Sequence, residues 1–139
     1  NKNLSITSFK VPHRNELSET VGFKIQSLNK SLVFISDIDS WEKWDVDINT
    51  LIQNNNILIL DGTFYSDEEL SDRRIEDVPH PFIEKSLKKF SLLEVVDRKK
   101  VYFTHFNHTN PVNQKSSPER AVITEHCCQL AEDGMVFTL

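Results

Sequence analysis

The chain has 139 residues, 38% of them hydrophobic and 27% charged, with a formal net charge of −5. That length allows one domain with a buried core, and the negative balance argues against nucleic acid as a partner. No apolar run approaches the roughly 20 residues that cross a bilayer, so a soluble chain without a membrane partner is expected.

The N-terminal third reads as strands. Leu4 to Val11 alternates in hydropathy, and Val21 to Leu28 and Leu32 to Ile35 follow around the turn at Asn29 and Lys30, which suggests an antiparallel set. Trp41, Trp44, Ile48, Leu51 and Ile52 recur at helical spacing, predicting a helix over 41–52. Three asparagines, 54–56, interrupt the chain before Ile57 to Leu60, a continuous apolar run expected of a strand buried on both faces. Ser66 to Asp77 is acidic and predicts an exposed loop with a helical turn. Pro81 to Phe90 predicts a helix, Lys100 to Phe106 a strand, and Ser117-Pro118 the N-terminus of a helix reaching about Gln129. Gly134 precedes a predicted last strand, Met135 to Leu139. Strand, helix, strand, helix, strand after an antiparallel set predicts an α/β (α+β) domain with a mixed sheet. Residue 1 is Asn and strand-like sequence begins almost at once, as expected of a piece of a longer domain.

Two short basic runs, Lys85 to Lys89 and Arg98 to Lys100, read as solvated faces. The adjacent Cys127 and Cys128 could join each other only in a strained disulfide and have no other partner. They predict a reducing, cytoplasmic compartment and a buried, inert pair rather than metal ligands. Sequons at Asn3, Asn29 and Asn107 are short patterns of a kind that arises by chance.

Chemistry is best sought among five histidines. His13 follows the first strand, His80 precedes a helix, His105 ends a strand, His108 lies in the loop beyond, and His126 sits in the last helix as a structural residue. Asp37 and Asp61 each end an apolar strand. A single His or Asp at such a place is more often part of a hydrogen-bonded turn. Their recurrence where buried strands terminate is the pattern by which layered α/β folds build sites.

Three segments resemble the metallo-β-lactamase superfamily. Val11-Pro12-His13 followed by Gly22-Phe23 is similar to its third metal-ligand motif, Leu32 to Asp37 to the fourth, and Val101 to His105 to the fifth. His80 falls where the ribonuclease Z-like branch places a further catalytic His. Pro-His-Arg-x-Glu from Pro12 to Glu16, Ser36-Asp-Ile-Asp39, Asp61-Gly-Thr-Phe64, His105 to Pro111, Ser117 to Arg120 and Asp133-Gly-Met135 together resemble the pyrroloquinoline-quinone biosynthesis protein B branch over nearly the whole chain.

The resemblance implies an αββα sandwich of two similar halves, of which this chain supplies the second. It implies His13, Asp37 and His105 as metal ligands, Asp37 as the bridge between two ions, and catalytic parts for Asp37 and His80. Such donors suit zinc, and also iron or manganese, one or two ions in the full-length protein. The implied activity is hydrolase-like, through metal-bound water, on a small-molecule or peptide-derived substrate. A non-catalytic binding or carrier module is the alternative. The family's opening His-x-His-x-Asp-His motif has no counterpart before His13, so catalysis is expected of a longer protein. Asp39 either orients a ligand His or caps the helix expected at Trp41, with the cap favoured. Asp61 reads as a possible orienting residue. Asn107, His108, Thr109 and Asn110 read as substrate-contacting loop residues or as a self-bonded turn. A domain lacking its other half exposes the face that half covers, so pairing with that half or a homo-oligomer is expected.

Overall fold

The computed structural model describes residues 3–14, 18–70 and 79–139. The strands β1 (Ser5–Lys10), β2 (Val21–Gln26), β3 (Ser31–Ile35), β4 (Ile57–Asp61), β5 (Val101–Thr104) and β6 (Gln129–Leu130) form one sheet in chain order. β1, β2 and β3 pair antiparallel, whereas β3 to β6 run parallel. The parallel part requires crossovers, which carry α1 (Ile48–Gln53), α2 (Ile83–Phe90), α3 (Val95–Arg98) and α4 (Pro118–Glu125).

Side chains alternate across a strand, and the main core cluster takes its buried strand residues from one face. Val33 and Ile35, Leu58 and Leu60, and Val101 and Phe103 lie opposite one another in register and are buried. Helix α2 buries Ile83, Ser86, Leu87 and Phe90, an i, i+3, i+4, i+7 stripe. Each large side chain of that stripe contributes roughly 1.5–3 kcal/mol by leaving water. On the other face, cross-strand pairing aligns Ile6 with Ile25, Ile25 with Leu32, Phe23 with Phe34, Phe34 with Ile59, and Ile59 with Tyr102. This apolar row is only half covered: Ile6 is 64% and Phe23 39% exposed.

Several expected boundaries change. The helix predicted over 41–52 begins only at Ile48, because the Asp47 carboxylate accepts from Thr50 N (3.0 Å) and Thr50 Oγ1 (2.7 Å) and starts it there. The helical spacing of Trp41 and Trp44 has a tertiary cause. Trp41 is buried and donates its indole N–H to Ser86 Oγ (2.9 Å), and Trp44 stacks on Phe9. The predicted strand Met135 to Leu139 does not form. Gly134 turns with φ 87°, Phe137 packs edge-on against Tyr102, and the sheet is extended instead by β6 beside β5. Helix α4 ends at Glu125 rather than near Gln129, with Cys127 in the left-handed region (φ 62°). Helix α3 was not expected. Of the acidic stretch 66–77, the described part holds a 3-10 turn, Asp67–Leu70, and residues 71–78 lie outside the described residues, as does Glu16.

Two of the three asparagines of the break, Asn55 and Asn56, close the end of the sheet at which β3 and β4 begin, and Asn54 ends α1. Asn55 accepts from Ser31 Oγ (2.9 Å) and donates to Leu51 O (2.8 Å), and Asn56 accepts from Ser31 N (2.9 Å). Cys128 is buried, and burial pushes its thiol up to about 12, so it is inert. Among the described residues no helix is long and apolar enough to cross a membrane.

Bonding to the Thr50 hydroxyl and amide holds the Asp47 carboxyl below the usual carboxylate range. A depressed folded pKa contributes stability that is complete above the unfolded pKa of about 3.9 and is lost as pH falls through the folded value. Asp47→Ala is therefore expected to lower the melting temperature at neutral pH, with the gap to wild type narrowing on acidification. A gap that stays constant in melting curves across that range would show that the carboxylate cap is not its source.

Candidate metal centre

Parallel pairing puts the C-terminal ends of β3, β4 and β5 at one edge of the sheet. Asp37 lies two residues beyond β3, Asp61 is the last residue of β4, and His105 is the first beyond β5. β1 ends at the same edge through its antiparallel pairing, and Asp39 N donates to Pro12 O (2.7 Å), which brings His13 beside Asp37. His80 arrives from the segment before α2, where Phe64 packs edge-on against its ring.

Asp61 is fully buried. Its Oδ1 accepts from Thr63 N (2.9 Å) and Thr63 Oγ1 (2.7 Å), and its Oδ2 accepts from Ile38 N (3.0 Å) and His80 Nδ1 (2.8 Å). An ionised carboxylate offers about four acceptor sites, so these donors saturate it. Burial alone would lower the pKa of His80. The hydrogen bond to Asp61 and the charges of Asp61, Asp37 and Asp39 more than offset this and hold it above the ordinary value.

His13 lies between the other two aspartates, its Nδ1 3.0 Å from Asp39 Oδ1 and its Nε2 3.2 Å from Asp37 Oδ1. His80 Nδ1 is 3.7 Å from the same Asp37 oxygen. Despite these distances, Asp37 Oδ1, Asp39 Oδ1 and His13 Nδ1 are buried without a properly aligned hydrogen bond. A buried polar atom without a partner costs about 1–3 kcal/mol, more when charged. A cation bound to Asp37 would remove the part of that cost that falls on Asp37 Oδ1. Asp37, Asp61, His80 and His105 each offer a ligand atom within 4.8 Å of one another. Carboxylate oxygen and imidazole nitrogen at that spacing form a donor set that fits zinc, iron or manganese.

Two of the three expected ligands, Asp37 and His105, thus belong to one group, and His13 touches it through Asp37. The group also takes in His80, expected as a catalytic residue, and Asp61, expected in an orienting part. Asp39 does not cap a helix: no helix begins at Trp41, and its carboxylate faces His13 and Lys43. Asn110 is buried; its amide donates to Gly62 O (2.9 Å) and Thr63 O (3.1 Å), and its Oδ1 accepts from Val112 N. Asn107 bonds Thr109 Oγ1, and His108 is exposed with Nδ1 against Asn107 Oδ1, so these residues form a self-bonded turn beside the group. His126 caps α4 and bonds Val122 O. Thr63 escaped the sequence reading. The signal available was an Asp-Gly-Thr run directly after a buried strand, which places a hydroxyl where it can bond the preceding carboxylate. A cavity of about 270 Å³ opens beside His80, lined also by Asp39, Trp41, Lys43, Phe82 and Lys85.

A profile described as "Beta-lactamase superfamily domain" matches residues 1–106. Coenzyme PQQ synthesis protein B of Cupriavidus taiwanensis is 31% identical over 93 residues, taking in 63% of this chain and 30% of that protein. The protein of the same name from Methylobacillus flagellatus is 26% identical over 140 residues, 92% of this chain and 44% of the relative. Zinc-bound PqqB from Methylobacterium extorquens aligns with a TM-score of 0.78 at 24% identity, over 100% of this chain and 52% of that one. A diphosphatase from the PhnP family aligns with a TM-score of 0.55 at 20% identity, over 99% and 45%. The chain belongs to the beta-lactamase superfamily and has the metallo-β-lactamase type of α/β fold. Within it, the chain is similar to coenzyme PQQ synthesis protein B, and it spans less than half the length of these curated relatives.

Removing the Asp61 carboxylate strands its buried donors. Asp61→Ala is expected to lower the urea unfolding free energy by roughly 3–5 kcal/mol in chelator-treated protein. A loss below about 1 kcal/mol, the level typical of an ordinary substitution, would refute the central place given to this residue.

Proposed function

We propose that this chain carries one side of a metal centre and that the full-length protein uses it for hydrolase-like chemistry on a small-molecule or peptide-derived substrate. The observation that carries this reading is the convergence of Asp37, Asp61, His80 and His105 with a buried, unbonded oxygen on Asp37. Asp37, His105 and His13 are the proposed ligands, with Asp37 shared between two ions where two are bound. Asp61 has no acceptor site left and is assigned to orientation. Zinc is the favoured ion, supported by the zinc-bound PqqB neighbour, with iron or manganese as alternatives. Bound there, the ion would supply hydroxide at neutral pH by lowering the pKa of water.

This chain's own residues do the rest. His80 keeps Nδ1 on Asp61, which leaves Nε2 to hold or hand over a proton at a leaving oxygen. Asp39 faces His13 Nδ1 from the side opposite Asp37 and is assigned to orienting that ring. The cavity beside His80 is the proposed substrate entrance, and its apolar walls, Trp41 and Phe82, exclude water from one side of the group. Two free cysteines, one buried and inert, agree with a reducing compartment.

Metal content after equilibration with limiting zinc, iron or manganese tests the ligand set. Asp37→Ala and His105→Ala are expected to lose most of the metal that wild type retains, while Lys88→Ala on the exposed side of α2 keeps it. Unchanged metal in both ligand variants would overturn the assignment. Full metal without turnover in the full-length protein would favour the carrier or binding module instead.

The half-covered apolar row from Ile6 to Tyr102 is proposed to receive the second sheet of the same sandwich. The partial spans on the relatives support this. The chain by itself is expected to bind an apolar dye and to self-associate in light scattering, and Ile6→Lys with Phe23→Lys to reduce both. A monomer without dye binding would count against the second layer.

A further inference from the structure

We infer that Thr63 is a positioning residue that fixes the tautomer of His105, passing the influence of the buried Asp61 to a side chain that Asp61 does not touch. The inference rests on the proposed ligand role of His105 for its consequence in metal binding, but not for its geometry.

Thr63 Oγ1 lies 2.7 Å from Asp61 Oδ1 and 3.0 Å from His105 Nδ1. A hydroxyl has one proton to give and two lone pairs to receive. The other partners of Asp61, Thr63 N, Ile38 N and His80 Nδ1, all meet it as donors, as an ionised carboxylate requires. The Thr63 proton therefore goes to Asp61, where the bond is charge-assisted. What the oxygen presents to His105 is a lone pair, so His105 must meet it with Nδ1–H. In the neutral ring Nε2 is then the unprotonated nitrogen, the form a metal ligand needs. Free in water, histidine prefers the opposite tautomer, and His105 is an exposed residue. The preference is thus imposed by one hydroxyl.

The hydroxyl is held from every side. The Thr63 amide is tied to the same carboxylate oxygen, and its carbonyl accepts from Asn107 N (2.9 Å) and Asn110 Nδ2 (3.1 Å). Gly62 lets the two strands approach: its amide donates to Thr104 O (2.9 Å), and a Cβ there would lie 2.9 Å from Phe103 Cβ. The partner is set just as deliberately. His105 occupies the left-handed region with φ 63°, a conformation uncommon for a residue with a side chain. Asp61 therefore orders both imidazoles, His80 directly and His105 through Thr63.

The test reads imidazole nitrogen tautomers by ¹⁵N NMR in the metal-free protein, together with zinc affinity by competition with a chelator. In wild type, His105 is expected as the Nδ1–H form. Thr63→Val removes the hydroxyl at nearly constant volume and is expected to release His105 toward the Nε2–H form, with His80 still on Asp61 as an internal check of the fold. Thr63→Ser is expected to restore the wild-type pattern. Zinc affinity should fall about 10- to 100-fold in the Val variant, the usual effect of removing a residue that orients a ligand, and recover in the Ser variant. An Nε2–H His105 in wild type, or a Val variant with unchanged His105 signals, would overturn the inference. A tautomer change with unaltered zinc affinity would uphold the positioning and instead refute His105 as a ligand.

Discussion

A carboxylate with no exposure to water must find donors for all its lone pairs, and in this chain the partners of Asp61 come from three directions. Ile38 reaches it from the loop after β3, Thr63 from the turn after β4, and His80 from the segment before α2. Each bond is worth little net, yet leaving one unmade is expensive. The result is a constraint on three backbone segments at once, and His80, carried on one of them, takes its orientation directly from it. Loops at the ends of parallel strands would otherwise be free to place Asp37, His80 and His105 anywhere along the edge. Saturation of one buried side chain turns that edge into a defined group of ligand atoms.

Much of this was legible in the chain. Parallel strands announce themselves as uninterrupted apolar runs, so Leu32 to Ile35 and Ile57 to Leu60 were placed with little error. The run Lys100 to Phe106 overshot β5 at both ends, and Ile57 to Leu60 is buried on one face rather than on both. What escaped was decided by tertiary contacts. Helical spacing at Trp41 and Trp44 reflects their docking on Ser86 and Phe9, since a local pattern cannot distinguish a helix face from two anchors in an irregular segment. Asp39 looked like a cap for the same reason. With the helix shifted to Asp47, it was available to His13. The apolar residues near the C-terminus suggested a strand, but Phe137 uses its ring against Tyr102 rather than its backbone against the sheet.

The sheet is two-sided in chemistry as well as in geometry. One face is sealed by helices, and the other carries a row of aliphatic and aromatic side chains that is only partly covered and opens to water at Ile6 and Phe23. Such a row seldom persists on an isolated domain, because a contiguous apolar surface invites association. Its direction is informative. It runs across the strands from the antiparallel edge to β5, parallel to the edge on which the ligand atoms gather. A second layer laid on this face would come up to the edge that carries the candidate ligand atoms, so the two surfaces belong to one assembly problem.

The opposite end of the sheet has another character. There Ser31, Asn55 and Asn56 close the strand starts with side-chain hydrogen bonds, and the β2–β3 turn is closed by Ser27, whose backbone N–H and side chain bond Lys30 while Leu28 stands 79% exposed. The full strand length separates this turn from the histidines. It is thus a natural mounting point for a fluorophore or spin label, one that would report on the integrity of the sheet from a full strand length away from the candidate ligand atoms.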